Sequence, residues 1–576
     1  MATPPETSPT TRPEQPVDDG PRRWYQSIHP PVFWPSIVLI LAFVVLAIVG
    51  GDAVGETIST VQNGIVTYFG WYYTALISAF VVFALWMGLS HFGDIRLSKD
   101  DEGPEFRLGS WLTMLFAAGM GIGLVFWGVA EPLNHFAGIP NRASRIVAGD
   151  AAGAQDSLVI TFLHWGLHPW AIYVVVGLAI AYAVHVRNRP ISIRWTVEPV
   201  LGKRAKGWLG DVIDVIAVVG TVFGIATSLG LGVTQIAGGL EFLDIISTPS
   251  NMVLVIIIGI VTGLALFSVV SGVTKGMKWL SNINMSMAVA LMIFIAVTGP
   301  TMFLLRELIQ ASGAYFQNLI ALSFRTSALA GEQGIEWQSW WTAFYWGWWI
   351  SWAPFVGVFI ARISKGRTVR EFVMGVLLVP TAFSFVWFTV LGGSGLYREL
   401  FGGGGMVQTD AEGNAVVDET NTLFFLLDDL PAAGLVIGVA ILIVVLFFVT
   451  SSDSGSLVVD MLASGGEVEP PVWSRVLWAV LEGAVAVALV LAGGLTALRG
   501  VAISIALPFS IVMIVMCFAL VRQFRVERHK TLQAELRLRR EQFTAHVTQT
   551  LQEDGLLEEE ASTPEVGRPR RRRRRT

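Results

Sequence analysis

The sequence predicts an all-α integral membrane protein with twelve transmembrane helices, and three observations carry that prediction. Of 576 residues, 53% are hydrophobic and only 14% charged, where a soluble protein carries about 25% charged residues. The mean hydropathy is +0.60, and the apolar residues gather in runs long enough to cross a ~30 Å hydrocarbon layer. Lysine and arginine concentrate in alternate loops, as they do on the cytoplasmic side of membrane proteins. These features exclude a soluble multidomain enzyme. The one cysteine, Cys517, lies in an apolar run, so no intrachain disulfide staples the fold.

Residues 1–30 read as a disordered cytoplasmic tail, rich in Pro, Thr and Glu in its first part and without the short apolar stretch of a cleaved signal peptide. The membrane body spans 31–523. Its apolar runs cover residues 31–51, 69–91, 109–133, 158–186, 208–241, 251–271, 279–305, 336–362, 369–394, 431–456, 473–494 and 499–522. Basic residues mark the N-terminal tail (Arg22, Arg23) and the second, fourth, sixth and eighth loops. The third loop is the weak point, with Arg142 and Arg145. Both termini are therefore expected in the cytoplasm, with the body in the cell membrane. Residues 307–325 read as an amphipathic helix on the outer surface. The segment 524–576 begins as a charged, helix-favouring extension of the last span and ends in Arg568, Arg570, Arg571, Arg572, Arg573, Arg574 and Arg575.

The eighth span holds the strongest local signal, the stretch Trp341 to Pro354 with five tryptophans. Helical spacing puts Trp348, Trp352, Phe355 and Phe359 on one stripe with Trp349 beside it. A quaternary ammonium has no N–H to donate; aromatic faces hold it, each contributing about 0.5–2 kcal/mol when desolvated. An interfacial aromatic belt explains Trp340 and Trp341 but not Trp349 and Trp352, which fall near mid-span. Span four adds His164, Trp165, His168, Trp170 and Tyr173, with Pro169 expected to loosen the helix between Trp165 and Tyr173. No third ligand lies near the two histidines in sequence, so a metal centre is not expected.

Span three reads Ala117-Ala-Gly119-Met120-Gly121-Ile-Gly123. Alternate glycines weaken a helix, and unwound backbone inside a membrane is tolerated where it lines a cavity. Close helix packing through Gly119 and Gly123 is the competing explanation. Span ten contains Phe447, Thr450, Ser451 and Asp453. The hydroxyls suit a small hard cation, although back-bonding to the helix explains them equally well. Asp453 suits a gate or a helix end. Glu131, before Pro132, is placed at the outer end of span three. Glu482 lies inside span eleven and is either a proton site or an interfacial residue.

The aromatic string, the Gly-Met-Gly-Ile-Gly break and Thr450-Ser-Ser-Asp-Ser454 together resemble the betaine/choline/carnitine transporter family over about residues 30–525. The resemblance is greatest to its osmoregulated, sodium-coupled betaine carriers. It implies a LeuT-type core of two inverted five-helix repeats, spans 3–7 and 8–12, after two extra helices, and a homotrimer. It implies an ammonium cage at Trp165, Trp170, Tyr173 and Trp349, with Trp348 nearby and Trp352 on the inward route. The substrate carboxylate would lie along Gly119, Met120 and Gly121. It implies a sodium site at Ala117, Met120, Phe447, Thr450 and Ser451, and a gating role for Phe359. Choline carriers of the family place an aspartate where this chain has Gly123, which favours a zwitterion such as glycine betaine.

One position departs from the pattern. A second sodium site of the family uses two threonines one turn apart plus a phenylalanine; Thr221 and Phe355 match, but the other threonine is replaced by Ile225, which has no oxygen to offer. The arginine-rich terminus resembles a cytoplasmic osmosensor, and its charge would be drawn to anionic lipid in an ionic-strength-dependent way. A nucleic-acid role does not fit a membrane anchor. The expectation is a sodium-coupled symporter of a small zwitterionic quaternary ammonium, with no cofactor beyond the coupling ion. The rival is a proton-coupled or sodium-independent carrier of choline, carnitine or ectoine.

Overall fold

The computed structural model describes residues 27–99, 102–119, 121–138, 151–271, 274–411 and 413–553. Met120, Arg22, Arg23, Arg142, Arg145 and the terminal arginines from Arg568 to Arg575 lie outside the described residues. The chain divides into two units, Met1–Leu520 and Val521–Thr576.

Helix is the dominant element, as the absence of water in a bilayer requires. The helices are α1 (Pro30–Gly50), α2 (Asp52–Leu89), α3 (Leu108–Gly119), α4 (Ile122–Ala137), α5 (Ala151–Trp165), α6 (Leu167–Ala181), α7 (Trp208–Phe242), α8 (Asn251–Ser271) and α9 (Thr274–Thr298). They continue with α10 (Thr301–Ser323), α11 (Gly331–Trp340), α12 (Thr342–Ile363), α13 (Val369–Phe401), α14 (Ala433–Ala463), α15 (Val472–Leu491) and α16 (Leu495–Glu553). A small antiparallel hairpin, β1 (Val407–Thr409) and β2 (Ala415–Val417), lies between α13 and α14.

Among the described residues, ten segments are long and apolar enough to cross a membrane, so the protein is an all-α, multi-pass membrane protein. The two expected spans missing from that set are the third and the eighth. The third is split into α3 and α4, neither long enough alone. The eighth, α12, has 22 residues, enough for a crossing, but its tryptophans and tyrosine lower its apolar character. Both exceptions are the segments that carry the binding motifs.

The helix breaks have local causes. Between α3 and α4, Gly121 is fully extended at φ −170° and ψ −179°, among residues of poor helix propensity. The expectation that Pro169 loosens the fourth span is corrected: the break is at Gly166, and Pro169 sits in the first turn of α6. A proline there costs little, because the first-turn N–H groups have no helical partner anyway. A methyl at Gly166 would come within 2.4 Å of the Phe162 carbonyl oxygen, so only glycine permits the pinch.

Helix α2 begins at Asp52, well before the expected residue 69. Its first turns are polar and exposed or half-buried, so hydropathy misses them; inward packing begins at Gln62, which is buried and donates to the Ser339 hydroxyl at 2.8 Å. Helix α13 starts at a capping box in which Thr368 and Glu371 satisfy each other's backbone N–H groups. Helix α12 packs against α6 and α7, α14 packs against α7, and α13 packs against α4. The broken and aromatic helices thus form the centre of the first unit.

Candidate functional site

The two broken segments and α12 converge on one cavity. It is lined by Gly121, Ile122, Gly123 and Leu124 of the α3–α4 break, by Trp165, Pro169, Trp170 and Tyr173 around the α5–α6 break, and by Trp348, Trp349, Trp352 and Val356 of α12. Ser228 of α7 and Ser384 of α13 complete the wall. Among the described residues, no Asp, Glu, Lys, Arg or His lines it. The space open to the centres of water-sized molecules is about 50 Å³, room for several waters. The four aromatic residues expected in the cage are therefore brought together with Trp348 and Trp352, and Gly121 and Gly123 are among them; Gly119 ends α3.

The rings are held by one another. Trp348 and Trp349 stack with centroids 4.7 Å apart and planes 13° apart. Trp165 meets Trp349 edge to face at 4.8 Å, and Trp170 meets Tyr173 edge to face at 5.3 Å; both are favourable quadrupole geometries. The Trp349 indole donates to the His164 carbonyl at 3.0 Å, and Trp352 donates to the Gly224 carbonyl at 2.7 Å. Gly123 is the point on which the arrangement closes. A methyl there would lie 2.5 Å from Trp348 Cη2 and 3.0 Å from Trp165 Cη2, so the absence of a side chain admits both rings. Gly121 has no neighbour within 4 Å of such a methyl; its part is the extended backbone.

A buried polar network braces the cage from behind, and here the sequence reading needs correction. Glu131 does not sit at an outer helix end; α4 continues through Pro132 to Ala137, and Glu131 is fully buried. Its carboxylate accepts from Trp165 Nε1 at 2.7 Å, from the Tyr345 hydroxyl at 2.5 Å, from His164 Nδ1 at 2.7 Å and from His135 Nε2 at 3.4 Å. Donors to a charged acceptor are worth more than neutral pairs, so the carboxylate fixes Trp165 and Tyr345 in place. Glu131, His135 and His164 bring ligand-type atoms within 4.8 Å of one another, so a third metal-type ligand does lie beside His164. It is invisible in sequence because it arrives by packing of α4 on α5. Glu131 and His135, four residues apart, were legible as one helix face.

A second cavity, of about 130 Å³, adjoins the first. It is lined by Ala117, Trp352, Phe355, Val356, Phe359, Phe447, Thr450 and Ser451, with Ser281, Met285 and Ser454. Trp352 and Val356 belong to both walls, so this layer of α12 separates the two spaces. The Thr450 hydroxyl donates to the Leu446 carbonyl at 2.8 Å; its oxygen lone pairs stay available. Thr221 is fully buried, donates to the Ala217 carbonyl at 2.7 Å and lines neither cavity, so the structure does not bring it to Phe355 in this wall. Asp453 is buried in α14 and engaged by Ser268 at 2.7 Å and Arg475 at 3.1 Å.

On the far side of the aromatic layer, Arg499 of α16 is 1% exposed and sits over the rings of Trp127, Trp340, Trp341 and Phe344, with its centre 4.4 Å from Trp340. It pairs with Glu419 at 3.0 Å. Sequence reasoning missed this box. Trp340 and Trp341, assigned to an interfacial belt, hold a cation of the protein's own.

Sequence comparison agrees with this geometry. Residues 31–529 match the betaine/carnitine/choline family transporter family, BCCT. The chain is 51% identical over 506 residues to an uncharacterized transporter of Mycobacterium tuberculosis, covering 87% of this chain and 84% of that one. It is 43% identical over 504 residues to the glycine betaine transporter OpuD of Bacillus subtilis, covering 88% and 96%. It is 40% identical to a glycine betaine/proline/choline/ectoine transporter of Vibrio parahaemolyticus, covering 88% and 89%. The protein is a transporter rather than an enzyme, and the chain belongs to the betaine/carnitine/choline transporter family.

Proposed function

We propose that the protein takes up glycine betaine, or a close zwitterionic relative, together with sodium. The observation that carries the substrate is the first cavity: five tryptophans and one tyrosine around a space with no charged side chain among the described residues of its wall. Aromatic faces suit a quaternary ammonium, and a wall without net charge suits a ligand without net charge. The ammonium would sit among Trp165, Trp170, Tyr173 and Trp349. The carboxylate would meet the extended backbone at Gly121, and the Trp348 indole N–H, buried without a protein acceptor, is a donor within the same wall. The names of the Bacillus and Vibrio relatives support this substrate class.

The sodium assignment rests on the second cavity, where Ala117, Phe447, Thr450 and Ser451 meet. A cation there would tie α3 to α14 one layer away from the substrate and favour the substrate-ready arrangement. Transport would then proceed by alternating access, with Trp352, Val356 and Phe359 along the inward route. Inverted repeats, a trimer, osmotic regulation through the arginine-rich terminus and its attraction to anionic lipid complete the proposal, on the strength of the family resemblance. Binding of betaine to the purified protein, followed by tryptophan fluorescence with choline as competitor, tests the substrate. Tighter binding of choline than of betaine would overturn it.

A further inference from the structure

Glu482, in the middle of α15, takes no part in either cavity, and its surroundings are unusual for an ionisable group. It is fully buried. One carboxylate oxygen, Oε2, accepts from the Ser452 hydroxyl of α14 at 2.9 Å, and the other, Oε1, has no hydrogen-bond partner. This oxygen and Ile225 of α7 both face the empty side-chain position of Gly455, one turn beyond Ser452. A methyl on Gly455 would lie 3.2 Å from Glu482 Oε1 and 2.5 Å from Ile225 Cδ1. The buried hydroxyl of Thr262, on α8, is also without a partner and abuts the next residue, Gly483.

No counter-charge is available among the described residues of the elements packed on α15, which are α1, α7, α8 and α14. Helices α1 and α8 contain no ionisable residue, and α7 has none between Asp214 and Glu241. On α14 and α15 the other ionisable groups are Asp453, Asp460 and Arg475; Asp453 and Arg475 are paired with each other at 3.1 Å, and Asp460, itself acidic, accepts from Ser464, Ser474 and Trp478. A bare carboxylate in such a place is costly, so the group needs a proton or a cation. The site offers too few oxygens for sodium, with Ile225 and a glycine on one side, whereas a proton needs only the carboxylate itself.

We propose that Glu482 is a proton-binding coupling site, loaded from the outer side and discharged to the cytoplasm once per transport cycle. The inference rests on the transport reading above. In the loaded state the proton is on Oε1, the oxygen without a partner, and the carboxyl is neutral. Discharge leaves the carboxylate charged, with the Ser452 hydroxyl as its donor. Ser452 follows Ser451 directly in the chain, so the charge on Glu482 bears on the α14 segment that lines the proposed sodium cavity. Proton and sodium would thus act on neighbouring residues of one helix turn.

The test uses the full-length protein in proteoliposomes, with labelled glycine betaine, a fixed inward sodium gradient, the voltage clamped by potassium and valinomycin, and pyranine trapped inside. Making the outside more acidic than the inside should raise accumulation several-fold, and adding betaine should acidify the lumen. Glu482→Gln should retain betaine binding by tryptophan fluorescence and lose both proton responses. Wild-type protein that shows neither response, or a Glu482→Gln protein that keeps both, would overturn the proposal. If Glu482→Gln fails to assemble, Glu482→Asp keeps the carboxyl and should keep the proton responses; their loss would count against the proposal. Omitting sodium at fixed pH tests the sodium reading separately, so either coupling can fail while the other stands.

Discussion

Replacing Gly123 by alanine tests the cage at the point where the structure leaves least room. The added methyl would lie 2.5 Å from Trp348 Cη2 and 3.0 Å from Trp165 Cη2, about 1 Å inside ordinary carbon–carbon contact at the closer ring. Trp348 has no free direction in which to yield. It stacks on Trp349 at 4.7 Å on one side and on Phe344 at 5.4 Å on the other. Overpacking of this kind costs about 1–3 kcal/mol, and the displaced rings are those the ammonium needs. At about 1.4 kcal/mol per tenfold, betaine Kd should rise roughly five- to 150-fold. Tryptophan fluorescence titration of the purified variant measures it. Gly434→Ala is the control, because nothing lies within 4 Å of a methyl there, and its Kd should match wild type. An unchanged Kd in Gly123→Ala would refute the assignment of these rings to the substrate.

Other predictions follow from the same geometry. Trp349→Leu removes one aromatic face and should weaken betaine binding by about 1–2 kcal/mol, roughly tenfold, measured by competition uptake. Glu131→Gln keeps the shape of the brace but removes the charge that Trp165, Tyr345 and His164 address. At about 1.5–3 kcal/mol for a charged hydrogen bond, it should lower betaine affinity at least about tenfold, and wild-type affinity would show that the brace does not hold the cage. Thr450→Ala and Ser451→Ala should raise the sodium concentration needed for half-maximal uptake while leaving betaine affinity at saturating sodium unchanged. Gly123→Asp adds a negative charge to a wall that has none and should shift preference from betaine towards choline in a paired uptake assay.

Much of this site was legible in the sequence because its signals are local. The tryptophans of α12 fall at helical spacing, and the glycines that break span three are adjacent in the chain. The aromatic rings that complete the cage lie within nine residues of one another, from Trp165 to Tyr173. What the sequence hid was produced by packing between distant segments. Glu131 meets His164 across 33 positions and Tyr345 across 214, and only the docking of α4 on α5 and α12 makes one network of them. Arg499 opens the last apolar run, and only the packing of α16 places it over the rings of α4, α11 and α12. In span four, Pro169 is the stronger helix-breaking signal in sequence. The chain instead breaks at Gly166, where a Cβ would collide with the Phe162 carbonyl. Thr221 and Thr450 each donate to a carbonyl of their own helix, an orientation that sequence does not fix.

The central claim is that the aromatic cavity and the Thr450–Ser451 cavity work together, one holding the solute and the other the ion that drives it. The most direct test is uptake of labelled glycine betaine by proteoliposomes with an inward sodium gradient and equal pH on both sides. Accumulation above the external concentration that collapses when sodium is equilibrated across the membrane is the predicted result, and it should be lost in Thr450→Ala at low sodium. Betaine that accumulates equally with and without the sodium gradient, or that is not taken up at all, would contradict the account.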